Sequence, residues 1–100
     1  MVKHVILWQL KDELDEGKKL EVKKNIKVGL EELLGKIDGL TEIKVYTDGL
    51  ESSNADLMLY SVFESESALK GYAIHPEHVA VADTKVRPFT KTRLCLDFED

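Results

Sequence analysis

Four segments of the chain are rich in β-branched, aromatic and other large apolar residues, a pattern that predicts strands. They cover residues 2–10, 40–50, 55–63 and 92–98. In the first and third segments, apolar residues occupy both alternating sets of positions. A strand with one face in water alternates apolar and polar residues, so we expect these two strands to be covered on both faces.

Two further segments have apolar residues spaced by threes and fours, which predicts amphipathic helices. The first begins near Leu20 and ends at Gly35 or Gly39, because glycine readily adopts the left-handed conformation after a helix. Gly29 inside this helix predicts a close approach to the sheet. The predicted buried stripe of the helix consists of Leu20, Val22, Ile26, Leu30, Leu33, Leu34 and Ile37.

The second predicted helix is interrupted by a proline. It starts with Ser65 or Ser67 as its N-cap, since serine accepts a hydrogen bond from a free N–H group of the first turn. Pro76 stops it, because proline lacks an N–H group and disfavours helical geometry at His75. Proline also favours the first position of a helix, so a second piece is expected from Pro76 to about Val86, capped by His75. The first piece is expected to bury Ala68, Leu69, Tyr72 and Ala73.

The order of these elements is β-α-β-β-α-β, which predicts an α+β fold. The arrangement is a ferredoxin-like sandwich, in which both helices lie on one face of an antiparallel sheet. The apolar residues on the other face need a cover, and a second copy of the sheet related by a two-fold axis supplies it. We therefore predict a homodimer that forms a dimeric α+β barrel, with residues 1–100 as a single domain.

Composition narrows the classes of function. The formal charge of −5 disfavours nucleic acid, which is bound by basic surfaces, and it disfavours anionic membranes as well. No apolar run approaches ~20 residues, so no membrane-spanning helix is predicted. The one cysteine, Cys95, cannot form an internal disulfide, and the N-terminus lacks a signal-peptide pattern. Both observations predict a cytoplasmic protein.

Three stretches carry a resemblance to a known family. They are the opening Lys3-His4-Val5-Ile6-Leu7-Trp8-Gln9-Leu10-Lys11-Asp12, the central His75-Pro76-Glu77-His78-Val79 followed by Asp83, and the ending Leu96-Asp97-Phe98. Together they resemble the stress-responsive A/B barrel (Dabb) family, and the similarity covers essentially the whole chain. The resemblance implies a small ferredoxin-like chain that forms a dimeric α+β barrel. Most members of that family have no established activity.

One plant member of the family, olivetolic acid cyclase, closes a linear polyketide by an aldol-type condensation without a cofactor. The Tyr and His that carry its chemistry match Tyr72 and His78, and two further pocket residues match His4 and His75. The resemblance therefore implies that Tyr72 and His78 are the catalytic residues if this chain is an enzyme. The cyclase holds its alkyl chain with aromatic residues on the first helix, whereas residues 22–27 contain none here. A long apolar substrate is thus poorly accommodated.

The histidines and the tyrosine also have chemistry of their own. A neutral histidine can take a proton from a carbon next to a carbonyl group, and a tyrosine hydroxyl can stabilise the enolate that forms. We predict that a pocket between the sheet and the helices binds a small oxygenated ligand, anionic where Arg93 takes part, and that no cofactor is needed. The predicted ligand-binding residues are His4, Ile6, Trp8, His75 and Arg93.

Other interpretations stay open. His75 and His78 could serve only as a helix cap and as a partner of a backbone carbonyl group. With Glu77, Asp83 or Cys95 they could bind zinc, but two histidines without a second ligand pair are a weak signal, and we predict no metal. Cys95 inside a strand is expected to be a small buried side chain. Related dimeric barrels include cofactor-free monooxygenases, and a stress-protective assembly protein without catalysis is a further alternative.

Overall fold

The computed structural model describes all residues from 1 to 100 and contains four strands and three α-helices. The elements are β1 (Val2–Leu10), α1 (Glu16–Glu31), β2 (Leu40–Tyr46), β3 (Leu57–Phe63), α2 (Glu66–Ile74), α3 (Pro76–Val81) and β4 (Thr90–Glu99). Between α3 and β4 the chain passes through a π-helical turn, Ala82–Val86, and a 3₁₀ turn, Arg87–Phe89. The predicted β-α-β-β-α-β order is confirmed, with the second helix divided at the proline.

The four strands form one antiparallel sheet in the order β2-β3-β1-β4. β1 and β2 run parallel to each other with β3 between them, so the connection through α1 is a crossover. This topology is the predicted ferredoxin-like α+β fold. β1 lies inside the sheet, paired with β3 on one side and with β4 on the other.

The helices cover one face of the sheet, and the core lies between them. Along β1 the even-numbered residues are buried and the odd-numbered residues are only half-buried, which is the period-2 alternation of a strand. Phe63 of β3 and Tyr72 of α2 are the largest fully buried side chains. The strand residues of this core are Val2, Ile6, Trp8, Leu10, Leu40, Ile43, Val45, Leu57, Leu59 and Phe63. The cluster is continuous, so the sequence builds one core on the helix side.

The other face of the sheet carries no helix, and we call it the open face. Leu94, Leu96 and Phe98 of β4 are among the exposed large apolar residues of the chain. The strand register places Leu96 opposite Val5 and Leu94 opposite Leu7. Met58 and Tyr60 of β3 continue the same face on the far side of β1. The open face is therefore apolar across three neighbouring strands.

The first helix begins earlier than the predicted Leu20. Its N-cap is Asp15, whose carboxylate accepts a hydrogen bond from the N–H group of Lys18 at 2.7 Å. Leu20, predicted to be buried, is 70% exposed. The buried stripe of α1 contains Val22 and Ile26, and at 100° per residue Leu20 points away from both. Leu34, also predicted to be buried, lies beyond the end of α1 at Glu31 and is exposed.

Two glycines of this region have distinct structural roles. Gly29 was expected to approach the sheet, but it faces the segment after Pro76. A Cβ atom there would lie 3.0 Å from Cγ1 of Val81 and 3.1 Å from Cδ of Lys85. Gly39 has a φ angle of +83°, and a Cβ atom there would lie 2.5 Å from Cβ of Ala68. Gly39 thus provides the left-handed turn that leads into β2.

The outer edge of β2 is bound by two side chains of α1. The carboxylate of Glu31 accepts hydrogen bonds from Nζ of Lys27 at 2.8 Å and from the N–H group of Val45 at 2.9 Å. Nζ of Lys27 also donates to the carbonyl oxygen of Val45 at 2.8 Å. These bonds occupy backbone groups that an edge strand otherwise leaves open to other chains.

β2 ends at Tyr46 and β3 begins at Leu57, so both strands are shorter than predicted.

None of the helices has the length and hydrophobicity needed to span a lipid bilayer.

Candidate functional site

The site begins at the corner between α2 and α3. The hydroxyl of Ser65 caps α2 by accepting from the N–H group of Ala68 at 3.1 Å. At the other end, His75 is extended, with a φ angle of −65° and a ψ angle of 132°, as expected before Pro76. Nδ1 of His75 accepts from the N–H group of Glu77 at 3.1 Å. The predicted N-caps Ser65 and His75 are thus confirmed, and α3 begins in a new direction.

The corner brings Tyr72 and His78 together. Their ring centroids lie 4.2 Å apart. Tyr72 also packs edge-on against Phe63, with centroids 5.0 Å apart, and against His4, with centroids 6.0 Å apart. Tyr72 is the only fully buried residue of α2, whereas Ala73, which was also predicted to be buried, is exposed. The aromatic contacts leave Tyr72 one fixed position above β1.

The hydroxyl of Tyr72 is buried and has no hydrogen-bond partner. Burial raises the pKa of Tyr72 well above its usual value of 10, and the nearby charge of Arg93 opposes the shift only in part. The phenol is therefore neutral at physiological pH. It can donate a hydrogen bond to an oxygen atom in the site, but it cannot act as a base.

His78 has the complementary character. Its Nδ1 lies 3.3 Å from the carbonyl oxygen of Ala73, which can only accept, so Nδ1 carries the proton. In the neutral ring Nε2 is then unprotonated and free to accept a proton. Burial lowers the pKa of His78 below 6.5. The hydrogen bond to Ala73 opposes this shift only in part, and the electrostatic influence of Arg87, His4 and Arg93 adds to it. At neutral pH His78 is therefore a neutral base.

These two residues line a cavity of about 80 Å³ between the sheet and the helices. The cavity brings together six of the residues singled out in the sequence: His4, Ile6, Trp8, Tyr72, His78 and Arg93. His75 does not line it, although a ligand-binding role was predicted for it. The reason is local, because the ring of His75 caps α3 and cannot reach the cavity at the same time. Even-numbered residues of β1 face the helices, as expected.

His4 is held from the β4 side of the cavity. It lies opposite Asp97 in the strand register, and its Nδ1 forms a hydrogen bond with the Asp97 carboxylate. The side chain of His4 is buried, whereas that of Asp97 is 44% exposed. Since a carboxylate only accepts, Nδ1 of His4 donates. Asp97 therefore fixes the ring of His4 and leaves its other nitrogen without a proton in the neutral form.

Cys95 lies beside this pair. Its Sγ is 3.9 Å from Nδ1 of His4 and 3.5 Å from the Asp97 carboxylate, to which it donates. It is exposed rather than buried as expected. Desolvation, followed by the hydrogen bond to Asp97, raises the pKa of Cys95. The thiol is protonated at neutral pH, so Cys95 lacks the reactivity of a nucleophile.

Two exposed arginines, Arg87 and Arg93, line the cavity. Arg87 forms an ion pair with Asp83, four residues earlier. Arg93 lines the cavity but forms no ion pair within the chain. It is therefore the cation available to an anionic ligand.

The sequence interpretation did not include half of the cavity lining. These residues are Leu30, Leu59, Ala82, Val86, Arg87 and Thr90. Leu30 was predicted on the buried stripe of α1, and Val86 at the end of the second helical piece, but neither pattern shows which buried residues border a cavity. The contact between His4 and Asp97 depends on the pairing of β1 with β4. A prediction that β1 and β4 pair antiparallel would have indicated the contact between His4 and Asp97.

Comparison with known proteins identifies the family. The sequence model of the stress responsive A/B barrel domain family matches residues 2–100. No curated protein matches the chain. A protein of unknown function from Bacteroides fragilis, described as dimeric with a ferredoxin-like fold, is similar at 33% identity. The alignment covers 99% of this chain and 95% of that chain, with a TM-score of 0.93.

Two further solved structures share the fold. A Dabb family protein from Mesorhizobium loti is 20% identical, with 99% of this chain and 95% of that chain covered and a TM-score of 0.77. A hydroxynitrile lyase from Passiflora edulis is 17% identical, with 97% and 90% covered and a TM-score of 0.72. At these identities the likeness concerns the fold. The match over residues 2–100 and the Bacteroides fragilis relative together show that this chain belongs to the stress responsive A/B barrel domain family.

Proposed function

We propose that the protein binds a small oxygenated anion in the cavity between the sheet and the helices. The observation that carries the proposal is the hydroxyl of Tyr72, which is buried at the cavity without a hydrogen-bond partner. An unpaired buried hydroxyl costs about 1–3 kcal/mol. An oxygen atom of a ligand would accept this hydrogen bond and offset that cost.

The size and charge of the cavity limit the ligand. Its volume of about 80 Å³ is well below the ~150 Å³ of an apolar cavity that takes up benzene. It therefore admits a few heavy atoms, and Arg93 supplies a positive charge at the mouth. A charge-assisted hydrogen bond from Arg93 would favour an anion by about 1.5–3 kcal/mol, with the lower end expected because Arg93 is exposed. Short hydroxy- and keto-acids fit both limits.

The ligand proposal is tested by titration with pyruvate, glycolate and lactate. Trp8 is the only tryptophan and lines the cavity, so its fluorescence reports binding. We expect the His78→Ala and Tyr72→Phe variants to bind more weakly than the wild type. His75→Asn should bind normally, because asparagine preserves the cap of α3 and His75 lies outside the cavity. Lactamide in place of lactate isolates the contribution of charge. The proposal fails if no acid perturbs Trp8, or if His78→Ala binds each acid as tightly as the wild type.

Acid–base catalysis without a cofactor is the second candidate function, and the tautomer of His78 favours it. Nε2 of His78 takes a proton from the carbon next to a ligand carbonyl group, and the electron pair of that C–H bond forms an enolate. The O–H group of Tyr72 donates a hydrogen bond to the enolate oxygen. Return of a proton from His78 to carbon restores the ketone. The Passiflora edulis relative is named a hydroxynitrile lyase, so small-molecule chemistry is compatible with this fold.

Exchange of the methyl protons of pyruvate in D₂O tests this chemistry, since it needs no other reactant. Proton NMR should show exchange above the buffer rate with the wild type. A positioned base contributes roughly 10²–10⁴-fold, so His78→Ala should lose most of the enhancement. His75→Asn is again the matched histidine control. Binding of pyruvate without exchange would leave ligand binding as the function.

The other two alternatives have weaker support. A monooxygenase acting on an aromatic substrate needs more room than the cavity of about 80 Å³ provides. An assembly protein without a ligand has no use for the unpaired hydroxyl of Tyr72. High thermal resistance together with no response to any acid would support the assembly role.

We also propose that the protein functions as a homodimer. The open face exposes Leu94, Leu96 and Phe98 beside half-buried apolar residues of β1 and β3. An apolar surface of this extent is typical of an interface. A second copy of the same face is self-complementary under a two-fold axis. The Bacteroides fragilis relative, at 33% identity, is described as dimeric.

A further inference from the structure

A second depression lies next to the cavity, between α2 and β4. This groove has a volume of about 650 Å³ and is open to solvent on one side. His4 and Arg93 border both the cavity and the groove. Cys95 and Asp97 border only the groove, and neither lines the cavity. The groove therefore contains polar side chains without an assigned role.

The sheet places three donor side chains of the groove together. Cys95 and Asp97 are two residues apart on β4, so their side chains leave the same face of the strand. The register places Asp97 directly opposite His4. As a result a nitrogen of His4, the sulfur of Cys95 and a carboxylate oxygen of Asp97 all lie within 4.8 Å of one another. All three side chains project from paired strands, which limits their relative movement.

The distances suit a small cation. Zn²⁺ binds sulfur at about 2.3 Å and nitrogen or oxygen at about 2.0–2.2 Å, which places tetrahedral ligand atoms roughly 3.4–3.6 Å apart. Sγ of Cys95 is 3.5 Å from the Asp97 carboxylate and 3.9 Å from Nδ1 of His4. Asp97 is hydrogen-bonded to His4 and would have to rotate, which its half-exposed side chain allows. No other set of three such side chains in the chain is as close.

We propose that His4, Cys95 and Asp97 bind a divalent transition-metal cation of the zinc type, with a fourth position open to the groove. One imidazole, one thiolate and one carboxylate are ligands that zinc accepts. The thiolate and the carboxylate balance the charge of the divalent ion. The positive charge of Arg93 beside the groove then favours an anion or hydroxide in the fourth position. On binding, the cation replaces the proton on Nδ1 of His4, and the imidazole carries its proton on Nε2 instead. The proton of the Cys95 thiol is released to solvent.

Two other uses of these residues are less consistent with the geometry. A cysteine nucleophile needs a histidine nitrogen of its own, but Asp97 already accepts the Nδ1 proton of His4, the nitrogen nearest Cys95. The pair His75 and His78, considered as a zinc site from the sequence, has its Nδ1 atoms bound to backbone groups. The set of His4, Cys95 and Asp97 is therefore the stronger candidate for a metal site.

Titration of the chelator-treated, tag-free protein with Co²⁺ tests the proposal. Cobalt replaces zinc in such sites, and a bound thiolate produces a sulfur-to-cobalt charge-transfer band in the near-ultraviolet. We expect this band to saturate at one ion per chain and to disappear when Zn²⁺ is added. Cys95→Ser should abolish the band. Asp97→Asn, which is nearly isosteric, should weaken Co²⁺ binding at least ~10-fold in the same titration, because even the loss of an outer-shell partner commonly has an effect of that size.

His78→Ala is the control, since it alters the cavity but no proposed ligand and should leave the cobalt band unchanged. Circular dichroism verifies that each variant is folded. The proposal is overturned if the wild type gives no charge-transfer band, if the band persists in Cys95→Ser, or if folded Asp97→Asn binds Co²⁺ like the wild type. The readout is metal binding alone, so failure of this proposal and failure of acid binding at Tyr72 and His78 are separate results.

Discussion

The rings of Tyr72 and His78 lie 4.2 Å apart, although the two residues belong to different helices. A continuous helix would place residues six positions apart on well-separated faces, since each residue advances by 100°. The break at Pro76 turns α3 back so that His78 meets Tyr72. The corner therefore assembles the hydrogen-bond donor and the base of the proposed site.

Replacing Pro76 with alanine tests the role of this corner. Proline fixes φ at the first position of α3, so we expect Pro76→Ala to keep the fold and to lower the free energy of unfolding by about 0.4–1 kcal/mol. The position of His78 should relax, and its pKa, followed by NMR, should move toward 6.5. Pro88→Ala, in the following 3₁₀ turn, is the matched proline control. Unchanged acid binding and unchanged titration of His78 in Pro76→Ala would show that the proline does not orient the site.

Tyr72→Phe separates a functional hydroxyl from a structural one. Because the Tyr72 hydroxyl is buried without a partner, its removal should raise the free energy of unfolding, by about 1 kcal/mol, while weakening acid binding. Tyr60→Phe is the control, since the Tyr60 hydroxyl accepts from Lys3 at 3.1 Å and its removal should not stabilise the protein. Urea denaturation measures the free energy of unfolding of both variants. A loss of stability in Tyr72→Phe would mean that the hydroxyl has a structural partner.

The burial of His78 predicts a pH dependence of stability. Its pKa in the folded protein is below the value of 6.5 expected in the unfolded chain, so between these two values the unfolded chain binds more protons. The free energy of unfolding should rise with pH through that window, and the contribution should be complete above 6.5. Urea denaturation across this range should show a steeper loss on acidification for the wild type than for His78→Gln. Parallel curves for the two proteins would contradict the assignment.

The edge of β2 offers a test that is independent of the cavity. Glu31→Gln removes a carboxylate that binds both Lys27 and the N–H group of Val45, and we expect it to cost ~1 kcal/mol. Burial alone would raise the pKa of Glu31, but the bonds from Lys27 and Val45 outweigh it and lower the pKa. Glu32→Gln, at the exposed neighbouring position, should have little effect. Equal stability of the two variants in urea would show that the edge contacts add nothing.

The proposed dimer depends on the open face. Leu96→Glu places a charge on that face, and we expect sedimentation to show a monomer of 11.3 kDa. The wild type should sediment at twice that mass. Leu20→Glu is the control, because Leu20 is 70% exposed on α1 and Leu96 is 63% exposed on the open face. Wild type that sediments as a monomer at all concentrations would disprove the dimer.

The sequence predicts most of this structure because its signals are local. Segments rich in β-branched and aromatic residues predict the four strands, and Ser65, His75 and Pro76 predict the caps and the break of the second helix. The start of α1 was missed because residues 16–19 contain no large apolar side chain, so Leu20 was taken as the first residue of the stripe. The expected approach of Gly29 to the sheet was wrong, because nothing in its own segment shows that its close neighbours are Val81 and Lys85.

Local signals also predicted part of the cavity lining. His4 and Trp8 follow from their shared face of β1, and Tyr72 and His78 from the corner together with the family resemblance. His75 was placed in the pocket because it matches a pocket residue of the related cyclase, yet its ring has a local partner that holds it elsewhere. The contact of His4 with Asp97 joins the two ends of the chain and depends on the register of the whole sheet. No local pattern contains that information.

The alternation of buried and half-buried residues along β1 has an evolutionary consequence. His4, Ile6 and Trp8 face the ligand cavity, while Val5 and Leu7 face the open side where a second chain would pack. If the proposed site binds a ligand, substitutions at His4, Ile6 and Trp8 would change what is bound, whereas substitutions at Val5 and Leu7 would change how chains associate. The two properties can diverge separately in descendants of this gene, even though one nine-residue strand encodes both.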